Sequence, residues 1–144
     1  TGLTLTLRPA ARSPIPRCSG PTSRGTRFHL PKAKKPSKQS ASDYECKFYT
    51  VQTKTGKQVV RHCAGPMWSF GAPISSRLST STEYSEDSYL DDGANITLAR
   101  GQSKEGATWR FLGILGETIE YETADPEAIP QLDAIFNSAC LSAP

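Results

Sequence analysis

The chain has 144 residues, of which 36% are hydrophobic and 22% are charged, and its formal net charge is +3 at neutral pH. This length accommodates one domain of ordinary size with an appendage. No apolar run of about 18 residues or more occurs, so we expect no transmembrane segment. The four cysteines form no CxxC pair and have no zinc-ligand spacing, and they are too few for a disulfide-rich scaffold.

Charge is distributed unevenly along the chain. Nine Lys and Arg residues precede the first acid, Asp43, so residues 1–42 carry a formal charge of +9. The other eight cations and all fourteen acids follow, which gives residues 43–144 a charge of −6. The basic segment also contains six prolines, which interrupt helices, and few large apolar residues that could be buried. We therefore predict a basic, Pro- and Ser-rich extended arm or leader at 1–42 and a compact acidic α+β domain at 43–144.

The first predicted hairpin joins strands at 44–51 and 57–63. If Thr55 and Gly56 form a two-residue turn, Cys46 is only a diagonal neighbour of Cys63, too far for an unstrained disulfide. A shifted register would place the two cysteines directly opposite each other. Turn chemistry favours the first register and a disulfide would favour the second. Cys46 and Cys63 remain the pair most able to form a disulfide.

A long loop is predicted at 64–82 because this stretch is rich in Gly, Pro, Ser and Thr. It contains Trp68 and Phe70. Aromatic residues in such a loop either cover the domain's own core or form an exposed patch that binds a partner.

An acidic stretch at 83–92 follows, with five acids and no cation, and it leads into a turn at Gly93. It does not match a calcium-binding loop. When Gly93 occupies the sixth loop position, the first and third positions are Ser88 and Leu90, and leucine cannot supply an oxygen ligand from its side chain.

Three further strands are predicted at 94–100, 107–114 and 117–123, and they should form an antiparallel meander. The second strand places Trp109 and Phe111 on one face and Arg110, Leu112 and Ile114 on the other. In the third strand, Ile119 and Tyr121 alternate with Glu120 and Glu122. We interpret these two glutamates as an ordinary solvated strand surface, because a catalytic carboxyl pair needs a cleft and one desolvated member.

The C-terminal region predicts one loose turn at 126–129 and a helix from Pro130 to about residue 141. One face of this helix is apolar: Leu132, Ile135, Phe136, Ala139 and Cys140. On this interpretation Cys140 is a buried thiol and Cys18 is free. The predicted fold class is α+β: a small antiparallel sheet of about five strands, covered by a C-terminal helix and preceded by a long irregular basic arm.

No catalytic or cofactor motif is present. His62 and Cys63 are adjacent on a predicted strand and therefore point to opposite faces, which is wrong for a nucleophile and its base. The stretch from Gly113 to Gly116 lacks the third glycine of a dinucleotide-binding loop. We therefore expect a protein that is not an enzyme, without catalytic residues, cofactor or metal. Asn95 begins an N-glycosylation acceptor, Asn-Ile-Thr, which matters only if the chain is secreted.

The charge layout predicts a non-catalytic accessory or structural subunit of a large assembly, whose partners are other protein subunits. The arm's presequence-like composition favours a plastid or mitochondrion. The predicted partner-binding residues are Arg24, Arg27, Lys32, Lys34, Lys35, Trp68 and Phe70. Non-specific electrostatic contact between the arm and RNA is a further expectation. Two alternatives remain: a small secreted, disulfide-containing binding domain, and an enzyme with an unrecognised site.

Overall fold

The computed structural model describes residues 13–19, 26–27, 37–41, 44–64, 78–91, 94–114 and 117–141. At 26–27, 37–41, 44, 91 and 94 it describes the backbone alone. The strands are β1 (Thr26–Arg27), β2 (Ser37–Ala41), β3 (Tyr44–Thr53), β4 (Gly56–Ala64), β5 (Ser81–Asp91), β6 (Ala94–Ser103), β7 (Thr108–Ile114), β8 (Glu117–Thr123) and β9 (Cys140–Leu141). A 3-10 turn at Pro126–Ala128 leads into the helix α1 (Ile129–Asn137).

Seven strands form one antiparallel sheet in the order β2-β3-β4-β8-β7-β6-β5. The two short strands β1 and β9 pair separately with each other. The structure is therefore mostly β with a short C-terminal helix, which confirms the predicted antiparallel sheet and helix. The sheet has more strands than predicted, and β2 and β1 come from the segment predicted to be irregular.

The helix covers one face of the sheet, which we call the helix face. Its buried side chains Leu132, Ile135 and Phe136 belong to one core cluster with strand residues such as Leu112 and Ile119. Apolar residues recur at every second position of β6, β7 and β8, so they all point to the same side. Burying these side chains is the main contribution to stability here.

The opposite face, which we call the second face, is also buried around the centre of the sheet. Trp109 and Phe111 are fully buried there, and Leu78 packs against their cluster. The Trp109 indole N–H donates to the Ser81 hydroxyl over 2.8 Å. Because β7 is buried on both faces, its neighbours must supply apolar or fully paired polar groups on both sides.

The environment of Glu120 differs from the predicted solvated strand surface. Its side chain is 3% exposed and forms an ion pair with Arg61 on the neighbouring strand β4, whereas Glu122 is exposed as expected. Glu120 lies opposite Phe111 on the second face. The prediction of a solvated surface at Glu120 is wrong because the strand alternation identifies a face but does not show whether that face is covered.

The β3–β4 hairpin takes the second of the two registers that the sequence left open. Thr53 pairs with Gly56, so the turn residues are Lys54 and Thr55, and Cys46 lies directly opposite Cys63. The Thr53 hydroxyl donates to the Gly56 carbonyl oxygen over 2.7 Å. Gly56 has a φ of +145°, a conformation that glycine adopts without steric cost. The glycine therefore begins β4 instead of occupying the turn.

The acidic stretch forms most of a strand, β5, where no strand was predicted. It pairs with β6 over almost its whole length, from Asp91 opposite Ala94 to Ser81 opposite Ser103. Gly101 permits this approach, because a Cβ there would lie 2.4 Å from the Glu83 carbonyl oxygen. The strand was missed because both of its faces carry mostly polar side chains, so no apolar alternation marks it.

The helix is shorter than predicted. It ends at Asn137, where the Ser138 hydroxyl donates to the Ile135 carbonyl oxygen over 2.6 Å. Cys140 then belongs to β9 and does not extend the helix. The backbone of Leu141 instead bonds to the N-terminal segment, donating to the Pro16 carbonyl oxygen over 2.8 Å.

Replacing Phe136 by Ala tests the packing between the helix and the sheet. Phe136 is 5% exposed, and the edge of its ring meets the Tyr121 ring with centroids 5.4 Å apart. We expect Phe136→Ala to lower the free energy of unfolding by about 3–5 kcal/mol, measured by chemical denaturation. Asn137→Ala, at an exposed position of the same helix, should change it by less than about 0.5 kcal/mol. Equal midpoints for the two variants would contradict this packing.

Candidate functional site

Two adjoining cavities lie on the helix face, beside the C-terminal half of α1. Their volumes are about 210 Å³ and about 160 Å³. They share Pro14, Leu98 and Arg110 as lining residues, so we treat them as one feature and call it the arginine groove. The larger cavity is bounded by polar residues of β5 and by Arg100, and the smaller by Leu112, Phe136 and Ala139. The groove is therefore polar at one end and apolar at the other.

The N-terminal segment 14–16 forms one wall of the groove and is held in place by covalent and hydrogen bonds. Cys18 forms a disulfide with Cys140, and the Cys18 backbone N–H donates to the Leu141 carbonyl oxygen over 2.7 Å. The Leu141 backbone N–H in turn donates to Pro16. The wall thus depends on a contact between residues 122 positions apart in sequence.

This disulfide corrects two predictions, a free Cys18 and a thiol at Cys140. Cys46 and Cys63 form the second disulfide, across the β3–β4 hairpin. All four cysteines of the chain are therefore bonded in pairs. The first pair could not be found from sequence because neither the end of the helix nor the position of residues 13–18 was predicted correctly.

Arg110 lies where the polar and apolar ends of the groove meet. Its guanidinium donates to Asp133 Oδ1 over 3.0 Å and stacks on the Phe136 ring, 4.8 Å from the centroid. The Tyr121 hydroxyl donates to the same oxygen over 2.6 Å. Burial, followed by this hydrogen bond to a carboxylate, raises the pKa of Tyr121 above the ordinary value of a phenol. These contacts fix the orientation of Arg110.

Arg100 lies on β6 directly opposite Arg110. Like charges at facing positions of neighbouring strands repel each other. Asp133 balances Arg110, whereas Arg100 is exposed and has no ion pair among the residues that the structure describes. Ser85 faces Arg100 from β5, and Asp87 lies on the same face two residue pairs further along, opposite Leu98. An anion at Arg100 would relieve the repulsion between the two guanidinium groups.

The chemistry of this arrangement is anion recognition beside an apolar surface. A guanidinium group binds carboxylate or phosphate oxygens through two parallel hydrogen bonds. The apolar lining of the same groove consists mainly of half-buried Leu98 and the nearly buried Leu112 and Phe136. The groove therefore has the two features that an anion with an apolar tail requires.

The structure describes no side chain among the sequence-predicted partner-binding residues. Arg24, Lys32, Lys34, Lys35, Trp68 and Phe70 are outside the described residues. The backbone of Arg27 pairs with Cys140, and its side chain is not described. Sequence reasoning missed Arg100 and Arg110 as site residues. A signal existed, because Arg110 is a cation that alternates into an otherwise apolar strand face.

Comparison with known proteins adds no relative. No protein-family model matches the chain, and neither does any curated protein or any solved structure. In the described ranges, no helix is long and apolar enough to cross a membrane. Within the same ranges, no group of three or more His, Cys, Asp or Glu residues is arranged to hold a metal ion.

The Cys18–Cys140 disulfide should contribute strongly to stability because it constrains nearly the whole unfolded chain. Replacing both cysteines by Ser should lower the free energy of unfolding by up to about 5 kcal/mol in the chain-entropy model. Each single replacement should cost nearly as much as the double one, since either removes the bond. Denaturant unfolding under oxidising conditions measures this. A double variant as stable as the wild type would show that the bond is absent in solution.

Tyr121 should make stability fall at alkaline pH. Its pKa is raised on folding, so above pH of about 10 the folded state binds more protons than the unfolded state. The free energy of unfolding should therefore decrease as pH rises beyond that point, and Tyr121→Phe should remove this part of the slope. The matched control is Tyr84→Phe, because Tyr84 is exposed. Identical pH slopes for wild type and Tyr121→Phe between about pH 9 and 12 would contradict the prediction.

Proposed function

We propose that this protein is a disulfide-stabilised, non-catalytic binding domain of an oxidising compartment, and that it binds a small anion with an apolar tail in the arginine groove. The single observation that carries this proposal is the pairing of all four cysteines in two disulfides. One of these bonds holds the groove wall, so the state of the cysteines and the shape of the groove are linked.

The compartment follows from the redox chemistry of cysteine. Disulfides persist in secreted and extracellular proteins and are rare where thiol reductants are abundant. The first alternative from sequence, a small secreted binding domain, fits this chemistry. Asn95 is exposed on β6, and exposure is what glycosylation of its acceptor motif requires.

The accessory-subunit hypothesis stays a prediction that the fold does not test. That hypothesis used residues 1–42 as one extended arm that reaches neighbouring subunits. The disulfide at Cys18 and the pairing of β2 with β3 attach two parts of this segment to the domain. The charge of the segment still suits acidic or nucleic-acid partners, but its reach is shorter than that of a free arm.

The ligand class follows from the lining of the groove. Arg100 offers a guanidinium group without an ion pair among the described residues, and Arg110 is held beside it. The apolar end would contact a short hydrocarbon chain, whose burial contributes about 0.8 kcal/mol per methylene group. A carboxylate at the end of such a chain would bind Arg100 at the polar end of the groove, while the chain contacts the apolar end.

Binding of octanoate, measured by isothermal titration calorimetry, tests the proposal. We expect octanoate to bind and octanol, which has the same tail but no charge, to bind at least about tenfold more weakly, because a charge-assisted hydrogen bond contributes about 1.5–3 kcal/mol. Arg100→Gln should weaken octanoate binding by a similar factor.

The matched control is Lys54→Gln, which removes the same charge in the exposed β3–β4 turn, near the other end of α1. It should leave the affinity for octanoate within about twofold of the wild type. Equal losses for Arg100→Gln and Lys54→Gln would indicate attraction by net charge alone and would contradict a site in the groove. Absence of octanoate binding to the oxidised protein would also contradict a site in the groove.

A further inference from the structure

The longest strand of the sheet lies at its edge. The strand β5 has eleven residues and, among the strands that the structure describes, pairs with β6 alone. Residues 82–88 are all exposed. An edge strand of this length presents a row of backbone N–H and C=O groups that can pair with another chain.

The strand carries little of the protection that natural edge strands use. Such strands are commonly short, or they contain Pro, Lys or bulges that prevent pairing. The described part of β5 has no Pro, Lys or Gly, and its one register shift lies at its start, between Ser81 and Glu83. The rest of the edge is regular and therefore able to accept a further strand.

Side chains along β5 indicate the chemistry of the partner. The strand contains no cation and four acids: Glu83, Glu86, Asp87 and Asp91. Tyr84 and Leu90 lie on the same face as Glu86 and are 54% and 60% exposed. An added strand would place its own side chains about 5 Å from these groups, where opposite charges and apolar pairs stabilise and like charges repel.

We propose that β5 binds an extended basic segment of a partner protein by strand addition, with Lys or Arg side chains opposite the acids and apolar side chains opposite Tyr84 and Leu90. A second copy of β5 suits this edge less well than a basic segment, because both paired strands would then carry four acids and no cation. Strand addition requires neither a ligand in the arginine groove nor the disulfides, so this proposal stands or fails separately from the proposed function.

The probe is a short, end-blocked peptide in which Lys alternates with Val, titrated into the isotopically labelled full chain and followed by NMR. We expect chemical-shift changes confined to β5 and β6, and slower hydrogen exchange of β5 amides. A control peptide of the same charge, N-methylated at every second residue along its bonding edge, should bind at least about tenfold more weakly because it lacks the backbone donors.

Charge-reversal variants of the protein provide a second test of the proposal. The double variant Glu83→Lys, Asp87→Lys changes two acids on the same face of β5 and should weaken binding of the Lys-Val peptide roughly tenfold, because two attractive contacts become repulsive. The matched control reverses two exposed acids elsewhere, Glu105→Lys and Glu127→Lys, and should stay within about twofold of the wild type. Circular dichroism verifies that both variants are folded.

Three outcomes would overturn the proposal. Equal binding of the N-methylated peptide would show that attraction is purely electrostatic, and shift changes away from β5 would place binding elsewhere. A concentration-dependent dimer with protected β5 amides and no added peptide would show that a second copy occupies the edge.

Discussion

Burial of both faces of β7 is the constraint on which the rest of the structure depends. Leu112 and Ile114 point to the helix face, and Trp109 and Phe111 point to the second face, all of them nearly inaccessible to solvent. A central strand of this kind needs a layer on each side, and α1 supplies one of them. Polar residues in the same layers then require partners, which explains why Glu120 is paired with Arg61.

The two disulfides join segments of very different extent. One joins the two strands of the β3–β4 hairpin. This bond requires the register in which Cys46 lies directly opposite Cys63. The other joins Cys18 to a strand of only two residues, β9. Strands this short have little stability alone, so the covalent bond and the hydrogen bonds around Leu141 stabilise each other.

Positive and negative side chains lie on different parts of the sheet. The arginines of the groove lie on β6 and β7, while the acids of β5 lie at the adjoining edge of the sheet. Ser85 and Asp87 take part in both surfaces, because β5 lines the groove with one face and presents its backbone at the edge. Binding in the groove and strand addition at the edge therefore involve adjoining surfaces that share Asp87.

The sequence by itself determined the hairpin of β7 and β8, the sides to which their residues point, and the helix that follows, because periodicity and proline position are local signals. It also determined the uneven charge. Only the tertiary structure decided that Glu120 is buried, that residues 81–91 form an edge strand, and that Cys18 meets Cys140. The arginine groove belongs to this second group. Each of these features depends on which distant segments become neighbours, and alternation along one strand contains no information about what covers it.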